Sequence, residues 1–302
     1  MGSVSLAKRT FARTHIKEDN VGLRINTNVA SINAQRNLGQ TRLALNKTLE
    51  KLSSGQRINR AGDDAAGLAI SENLKAQIRG LGQAERNAED GISLVQIAEG
   101  ALAEVSNILI RLRELAVQAA SDTIGSTERK FLNVEFEQLT SEVDRIANST
   151  EFNRVNLLNG TGAVFDIQIG TRNDPITDRL TFDASSADVN VAALGLNLAS
   201  VADKISSQNS LSSIDQAIIS VSGIRADFGA LQNRLQSTIN NIQVGIENLS
   251  SANSRVRDTD VAKETAELTR NNILVQAGTS VLAQANASSR NALQLINSAS
   301  QL

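Results

Sequence analysis

The sequence predicts a mainly α-helical protein in which long antiparallel helices form coiled-coil rods, with a small β-hairpin region. The chain has 302 residues and no Trp or Tyr, and aromatic residues make up only 2%. Its core must therefore be built from Leu, Ile, Val and Ala, which favours packed helices. Pro175 is the single proline, so little interrupts a long helix. Apolar residues also recur at alternating steps of three and four, which is the spacing of a coiled-coil seam.

The first helix is predicted to begin after a basic segment without an apolar face, residues 1–20, and the regular pattern starts at Val21. Its apolar stripe steps by seven, four and three through Leu38, Leu45, Leu49 and Leu52. Such a stripe indicates one buried helix face. Ser53 to Gly55 then interrupt the pattern.

The second helix is predicted to follow Asp63 and Asp64, whose carboxylates suit the first-turn amides and the positive end of the helix dipole. Its seam contains Leu102, Val105, Leu109, Leu112 and Ala116. A third helix, from about Thr127 to Ala147, carries its own seam at Leu132, Phe136, Leu139, Val143 and Ile146. Small and polar residues separate the two, so the third helix should fold back on the second.

A change of period marks the β-hairpin. The runs VFDIQIG and RLTFDAS alternate apolar and polar residues, and the turn residues Asn173 to Pro175 lie between them. Residues 197–213 are rich in Ser, Ala and Asn, and we expect them to be irregular or weakly helical. The longest seam follows and runs from Ala217 to Val256 without a break. Such a helix needs a rod-like partner.

The residue types exclude most catalytic chemistry. The chain lacks Cys, and its one His is His15, so thiol nucleophiles, disulfides and thiolate metal sites are absent and a His-dependent triad is not expected. The pairs Asp63/Asp64 and Asp258/Asp260 could serve as acid and base, but helix capping is the favoured interpretation. The formal net charge of −2 offers no global basic surface for nucleic acid. We therefore predict no enzyme activity, no cofactor and no metal, and neither a nucleic-acid nor a membrane partner.

Several long motifs, in order along the chain, resemble those of bacterial flagellin. They are LRINTNVASINAQRNL, LSSGQRINRAGDDAAGLAI, RNAEDGISLVQIAEGAL, RLRELAVQAA, FNRVNLL, ALQNRLQSTINN, ENLSSANSRVRDTDVAKE and NILVQAGTSVLAQAN. The resemblance covers nearly everything from Val21 to Ile296. It implies a hairpin-like subunit whose two ends lie together in an inner coiled-coil domain. The stretch between the helices is short, so the chain resembles a minimal flagellin.

The resemblance divides the chain into three regions and an extension. It implies an inner terminal coiled-coil domain from residues 21–65 and 257–302, and a helical rod from residues 66–158 and 201–256. Residues 159–200 form the β-hairpin region. Residues 1–20 are expected to be absent from the mature protein, because the resemblance begins at Val21, where other flagellins have an initiator Met.

The function implied by the resemblance is that of a structural subunit of the bacterial flagellar filament, self-assembled outside the cell for motility. The implied partners are copies of the same chain, the flagellar cap and junction proteins, and the type III export apparatus with its chaperone. The residues predicted to carry self-assembly lie on the terminal helices and are Leu38, Leu45, Leu49, Leu52, Leu274, Val281, Ala285, Ala292 and Leu295. Two alternatives stay open: a hook-filament junction protein, and a soluble coiled-coil adaptor.

The resemblance also implies recognition by the host Toll-like receptor 5. The motif RLRELAVQAA places Arg111, Leu115 and Gln118 at positions that match the receptor-contact motif of the family, and Glu135 matches a further contact. Steps of four and three put the first three on one helical face, where they would form a single patch. Leu139 departs from the family pattern, in which a basic residue is common there.

Overall fold

The computed structural model describes residues 27–299, apart from the side chains of residues 292, 293 and 295–299. Within this range it confirms the predicted mainly α-helical class. The helices are α1 (Val29–Ser54), α2 (Ala65–Ala119), α3 (Ser126–Ser149), α4 (Lys204–Arg257) and α5 (Val261–Ala299). The prediction about residues 1–20 lies outside the described residues.

The chain divides into two compact units. Of the described residues, the terminal unit contains 27–64 and 258–299, and the central unit contains 65–257. Helices α1 and α5 belong to the terminal unit, whereas α2, α3 and α4 belong to the central unit.

The central unit is built on α2. Helix α4 runs antiparallel to it, because Arg113 on α2 pairs with Asp215 at 2.7 Å, and Glu85 accepts a hydrogen bond from Gln243 at 2.7 Å. Helix α3 folds back on α2, as the sequence predicts. The predicted seam of α2 is fully buried at Leu102, Val105, Leu109, Leu112 and Ala116. On α4 the seam residues buried in this core are Ala217, Val221, Phe228, Leu231, Leu235 and Ile242.

Two short antiparallel hairpins lie between α3 and α4. The first pairs β1 (Glu151–Phe152) with β2 (Val155–Asn156), and it was not predicted from the sequence. The second is the predicted hairpin, in which β3 (Val164–Gln168) pairs with β4 (Arg179–Asp183) and Phe165 stands opposite Phe182. The Phe182 ring lies 4.8 Å from that of Phe228, which docks this hairpin on α4.

Helix α4 begins earlier than expected. Residues 197–203 are not helical, but from Lys204 the chain is regular helix. Ser207, Ser210 and Ile214 explain the difference, because all three are buried against the core. The small serine side chains fit into the buried seam of α4. Tertiary packing therefore stabilises a helix where the composition alone favours irregular structure.

Helix α2 contains an 18-residue window that is long and apolar enough, by composition alone, to cross a membrane. No such segment was predicted from the sequence. One third of the window is buried. The helix supplies more of the buried residues of the central core than any other element, and that role accounts for its apolar character.

The two acidic pairs have different structural roles. Asp260 accepts hydrogen bonds from the backbone amides of Ala262 and Lys263 and so caps α5, as predicted. The Asp63 carboxylate does not accept hydrogen bonds from the first turn of α2. Its Oδ2 instead accepts from the amides of Asn59 and Arg60, because the chain turns tightly before the helix begins.

Candidate assembly and recognition surfaces

The terminal unit is an antiparallel pair of helices, α1 and α5. Its inner positions step by three and four along both helices, so the pair has coiled-coil spacing. On α1 these positions are Ser31, Ala34, Leu38, Thr41, Leu45, Thr48 and Leu52. On α5 they are Glu264, Leu268, Asn271, Val275, Gly278, Leu282, Ala285 and Ser289.

This pair has a small apolar core. Among the described side chains of the terminal unit, Leu38 and Ile58 are the only buried hydrophobic ones. More of the buried residues in the same part of the chain are polar, and these are Ser31, Thr48, Glu264 and Asn271. Because apolar burial supplies most of the free energy of folding, the pair gains little from its own seam.

The buried polar groups bond across the seam. The Lys51 ammonium lies 3.3 Å from a Glu264 carboxylate oxygen, and the side chain of Glu264 is only 10% exposed. The Asn271 amide approaches the Thr48 hydroxyl at 3.5 Å. At the other end of α1, Ser31 donates to the side-chain oxygen of Asn286 at 2.9 Å. Asn28 donates there to the hydroxyl of Ser289 at 2.8 Å.

The structure separates the predicted self-assembly residues into two groups. Leu38 is buried, and Leu45, Leu52 and Ala285 are half-buried on the seam. Leu49, Leu274 and Val281 are 46%, 48% and 58% exposed, so they do not belong to the buried seam. Their role in self-assembly stays a prediction. On α5 the inner positions are Val275 and Leu282, each of which comes one residue after Leu274 or Val281. Leu274 and Val281 therefore face outward. Ala292 and Leu295 lie outside the described side chains.

Further apolar residues of the terminal unit are exposed on the outside of the helix pair. On α1 they include Ile32, at 56%, and Leu43, at 72%, and Ile273 on α5 is 59% exposed. These three residues were not predicted from the sequence. In the sequence, these residues belong to a second set of apolar positions beside each seam. A search for one apolar stripe per helix does not find that set.

The residues of the proposed receptor patch lie at the contact between α2 and α3. The Arg111 guanidinium donates to Glu135 on α3 at 2.8 Å and to Glu114 at 3.0 Å. These two hydrogen bonds, that to Glu135 first, raise the pKa of Arg111 above its ordinary value. Gln118 is exposed as well. The structure therefore brings Arg111 and Glu135 together on an accessible surface.

Leu115 is a correction to the predicted patch. Its side chain is fully buried in the central core, so it is not the exposed apolar contact that the motif suggested. The exposed apolar residues in this part of α2 are instead Ile110 and Val117. Phe131 on α3, at 71%, is exposed as well. Helices α3 and α4 cover two sides of α2, and the inner side includes Leu115.

Within the described residues, no three His, Cys, Asp or Glu side chains form a group that could hold a metal ion. The two candidate functional surfaces are the outer faces of the α1–α5 pair and the patch around Arg111. Both have the character of protein contacts, because they combine exposed apolar side chains with polar groups.

Comparison with known proteins identifies the family. Residues 25–163 match the family described as the bacterial flagellin N-terminal helical region, and residues 211–296 match the bacterial flagellin C-terminal helical region. A flagellin of Halalkalibacterium halodurans is 47% identical over 90% of this chain and 99% of its own length. The chain belongs to the flagellin family.

Two further flagellar proteins are similar to this flagellin. The flagellar filament 33 kDa core protein of Treponema phagedenis is 43% identical, over 90% of this chain and 99% of that protein. The crystal structure of Bacillus cereus flagellin is 34% identical, with a TM-score of 0.47, over 52% of this chain and 88% of that one. Flagellins are structural proteins of the bacterial flagellar filament, and this chain is such a filament subunit.

Proposed function

We propose that this flagellin polymerises through its terminal unit, whose helices become ordered as neighbouring subunits cover them. The terminal segments run from about Val21 to Ala65 and from Arg257 to Leu302. The observation that supports the proposal is the reversed burial of the α1–α5 pair, which buries mostly polar side chains and exposes large apolar ones. Contacts with further copies would bury those apolar residues, and contacts that do not close on themselves generate a helical polymer.

A truncation tests this proposal. Deleting Thr279 to Leu302 removes part of α5 and leaves residues 65–257 intact. We expect a monomer that melts like the parent protein but no longer adds to filament fragments used as seeds. Sedimentation after seeding measures the added protein. Seeded growth of the truncated protein at the parental rate would contradict the proposal.

A point variant tests the outer face itself. Leu43→Ser removes an apolar side chain that is 72% exposed, so the melting of the monomer should not change. Seeded growth should fall at least tenfold, because the substitution leaves a polar group in a subunit contact. Gln40→Ser is the matched control, since Gln40 is an exposed polar residue on the same helix. Equal growth of both variants would contradict an apolar contact at Leu43.

The same experiment separates the two alternative functions. A soluble coiled-coil adaptor would stay in the supernatant with seeds present. A hook-filament junction protein would bind filament ends without lengthening them, which electron microscopy of the seeds would show. As a filament subunit, the chain has no catalytic role, leaves the cell through the type III export apparatus with its chaperone, and meets the cap and junction proteins at the filament ends.

A second function is recognition of released subunits by Toll-like receptor 5 through Arg111, Gln118 and Glu135. The accessible Arg111–Glu135 pair supports it, because Arg is one of the residue types enriched in binding hot spots. Leu115 then has an indirect role: its buried side chain packs α2 against the core and so holds Arg111 in position. Polymerised subunits can cover the same surface, so the monomer is the form to test.

A reporter-cell assay with purified monomer tests this site. The double variant Arg111→Ala, Glu135→Ala should lower signalling at least tenfold. Its matched control is Arg145→Ala, Glu142→Ala, which removes another exposed Arg–Glu pair, 2.6 Å apart on α3. Signalling by the Arg111 variant equal to that of the parent protein, or no signalling by the parent, would refute the site.

A further inference from the structure

The apolar residues of the α1–α5 seam cannot by themselves define how the two helices are aligned. On α1, Leu38, Leu45 and Leu52 recur every seven residues, and on α5 so do Leu268, Val275 and Leu282. Sliding one helix past the other by seven residues would therefore place the same kinds of side chain opposite each other. Apolar burial would be similar in both alignments.

The buried polar residues do not repeat in this way. Lys51 meets Glu264 at 3.3 Å, and Thr48 meets Asn271 at 3.5 Å. A shift by seven residues would take Lys51 away from the largely buried carboxylate of Glu264. An unpaired buried charge is far more costly than a misplaced methyl group.

We infer that Lys51–Glu264 and Thr48–Asn271 are the specificity-determining pairs of assembly, because they admit one alignment of α1 and α5 and exclude those shifted by seven residues. The inference rests on the proposed role of the terminal unit in polymerisation. Subunits aligned differently would present different outer faces to their neighbours, so a regular filament requires one alignment. The low apolar content of the seam then follows, since polar seam positions define register at the expense of stability.

A backbone contact also aligns the two segments where they meet. Gln56 and Asp258 form an antiparallel bridge, and the Thr259 amide donates to the Gly55 carbonyl at 3.0 Å. This contact lies at the same end of the helices as Lys51 and Glu264, which occupy the last turn of α1 and the first turn of α5. The experiment must therefore separate the two sources of alignment.

Disulfide reporters can read the alignment, because the parent chain has no Cys. A Cβ placed on Gly278 would lie 3.9 Å from the Cβ of Leu38, which is within the range of disulfides. The variant Leu38→Cys, Gly278→Cys thus reports the observed alignment. The variant Leu38→Cys, Ala285→Cys reports the alignment shifted by seven residues. Both are oxidised in filaments and scored by non-reducing electrophoresis.

Each reporter is then combined with Thr48→Val, Lys51→Leu, Glu264→Leu and Asn271→Leu, which make the seam apolar. We expect the shifted disulfide to rise at least tenfold over the same reporter with the natural polar residues. If the shifted disulfide stays at that background level, the bridge or the packing sets the alignment, and the inference is overturned.

Charge reversal gives an independent readout. Lys51→Glu alone and Glu264→Lys alone should each lower seeded growth at least tenfold, and the double reversal should recover most of the loss. Failure of the double variant to recover growth would overturn the inference. Failure of the proposed polymerisation role is distinguishable, because the Cys variants with natural polar residues would then form no sedimenting filaments at all.

Discussion

At the residue scale, backbone strain within residues 27–299 is concentrated in the β1–β2 hairpin. Its two turn residues, Asn153 and Arg154, have φ angles of 49° and 65°. Turns of this kind favour Asn followed by Gly, because both central residues need a positive φ. Asn tolerates that conformation, whereas a left-handed Arg is disfavoured by roughly 1–2 kcal/mol.

Arg154→Gly should therefore stabilise the central unit. Part of the gain is offset by the greater freedom of glycine in the unfolded chain, so we expect about 0.5–1 kcal/mol. Urea unfolding of the monomer measures it. Asn153→Gly is the control and should change the free energy of unfolding by less than Arg154→Gly does. A destabilised Arg154→Gly protein would contradict this account of the turn.

A second prediction at this scale concerns Asp63 and pH. Its pKa is lowered from the ordinary 3.8 to about 2, first by the hydrogen bond from Lys47 and then by the backbone amide of Arg60. Because the folded-state pKa is depressed, the stabilising contribution is complete above pH 3.8. It is lost as the pH falls through about 2. Circular dichroism of filaments between pH 4 and 2 should show a shallower loss of helix for Asp63→Asn, and identical profiles would contradict it.

The limits of sequence reasoning are also clearest at individual residues. The motif places Arg111, Leu115 and Gln118 on one helix face, but the helix period alone does not reveal which neighbours cover that face. Leu115 is buried because α2 is packed on two sides. The hairpin at Asn153 and Arg154 was missed for another reason: its strands have two residues each, too short to show an alternating pattern.

At the scale of elements, the seam of α4 was predictable and that of α5 was not. Apolar residues on α4 recur from Ala217 to Val256 with little competition from its other faces. On α5, Leu274 and Val275 are adjacent, as are Val281 and Leu282, so two stripes compete for the seam. Only packing against α1 decides between them, and it buries Val275 and Leu282 more deeply.

Matched substitutions on these two helices should therefore act at different stages. Leu235→Ala removes a fully buried side chain of the central core and should cost about 2–5 kcal/mol of monomer stability. Val281→Ser removes one that is 58% exposed and should leave monomer unfolding unchanged while it slows seeded growth. Urea unfolding and seeded sedimentation measure the two effects. If Val281→Ser lowered the free energy of unfolding of the monomer, Val281 would already be buried in the monomer before assembly, contrary to this prediction.

For the whole molecule, the fold class follows from composition and period, but the division of stability between the units does not. Both units show alternating steps of three and four in the sequence. The difference lies in what the inner positions hold. The central seam is aliphatic along most of its length, whereas Thr48, Glu264 and Asn271 occupy inner positions of the terminal seam.

The central unit should therefore fold without the terminal unit. A fragment of residues 65–257 retains the whole continuous core around α2 and α4. We expect one cooperative thermal transition, with a Tm within about 3 °C of that of the full-length monomer, since a change of 1 kcal/mol shifts a chain of this size by roughly 2–4 °C. The fragment should not add to seeds at any concentration tested. A Tm lower by 10 °C would show that α1 and α5 already stabilise the central unit before assembly, and their ordering would then precede polymerisation.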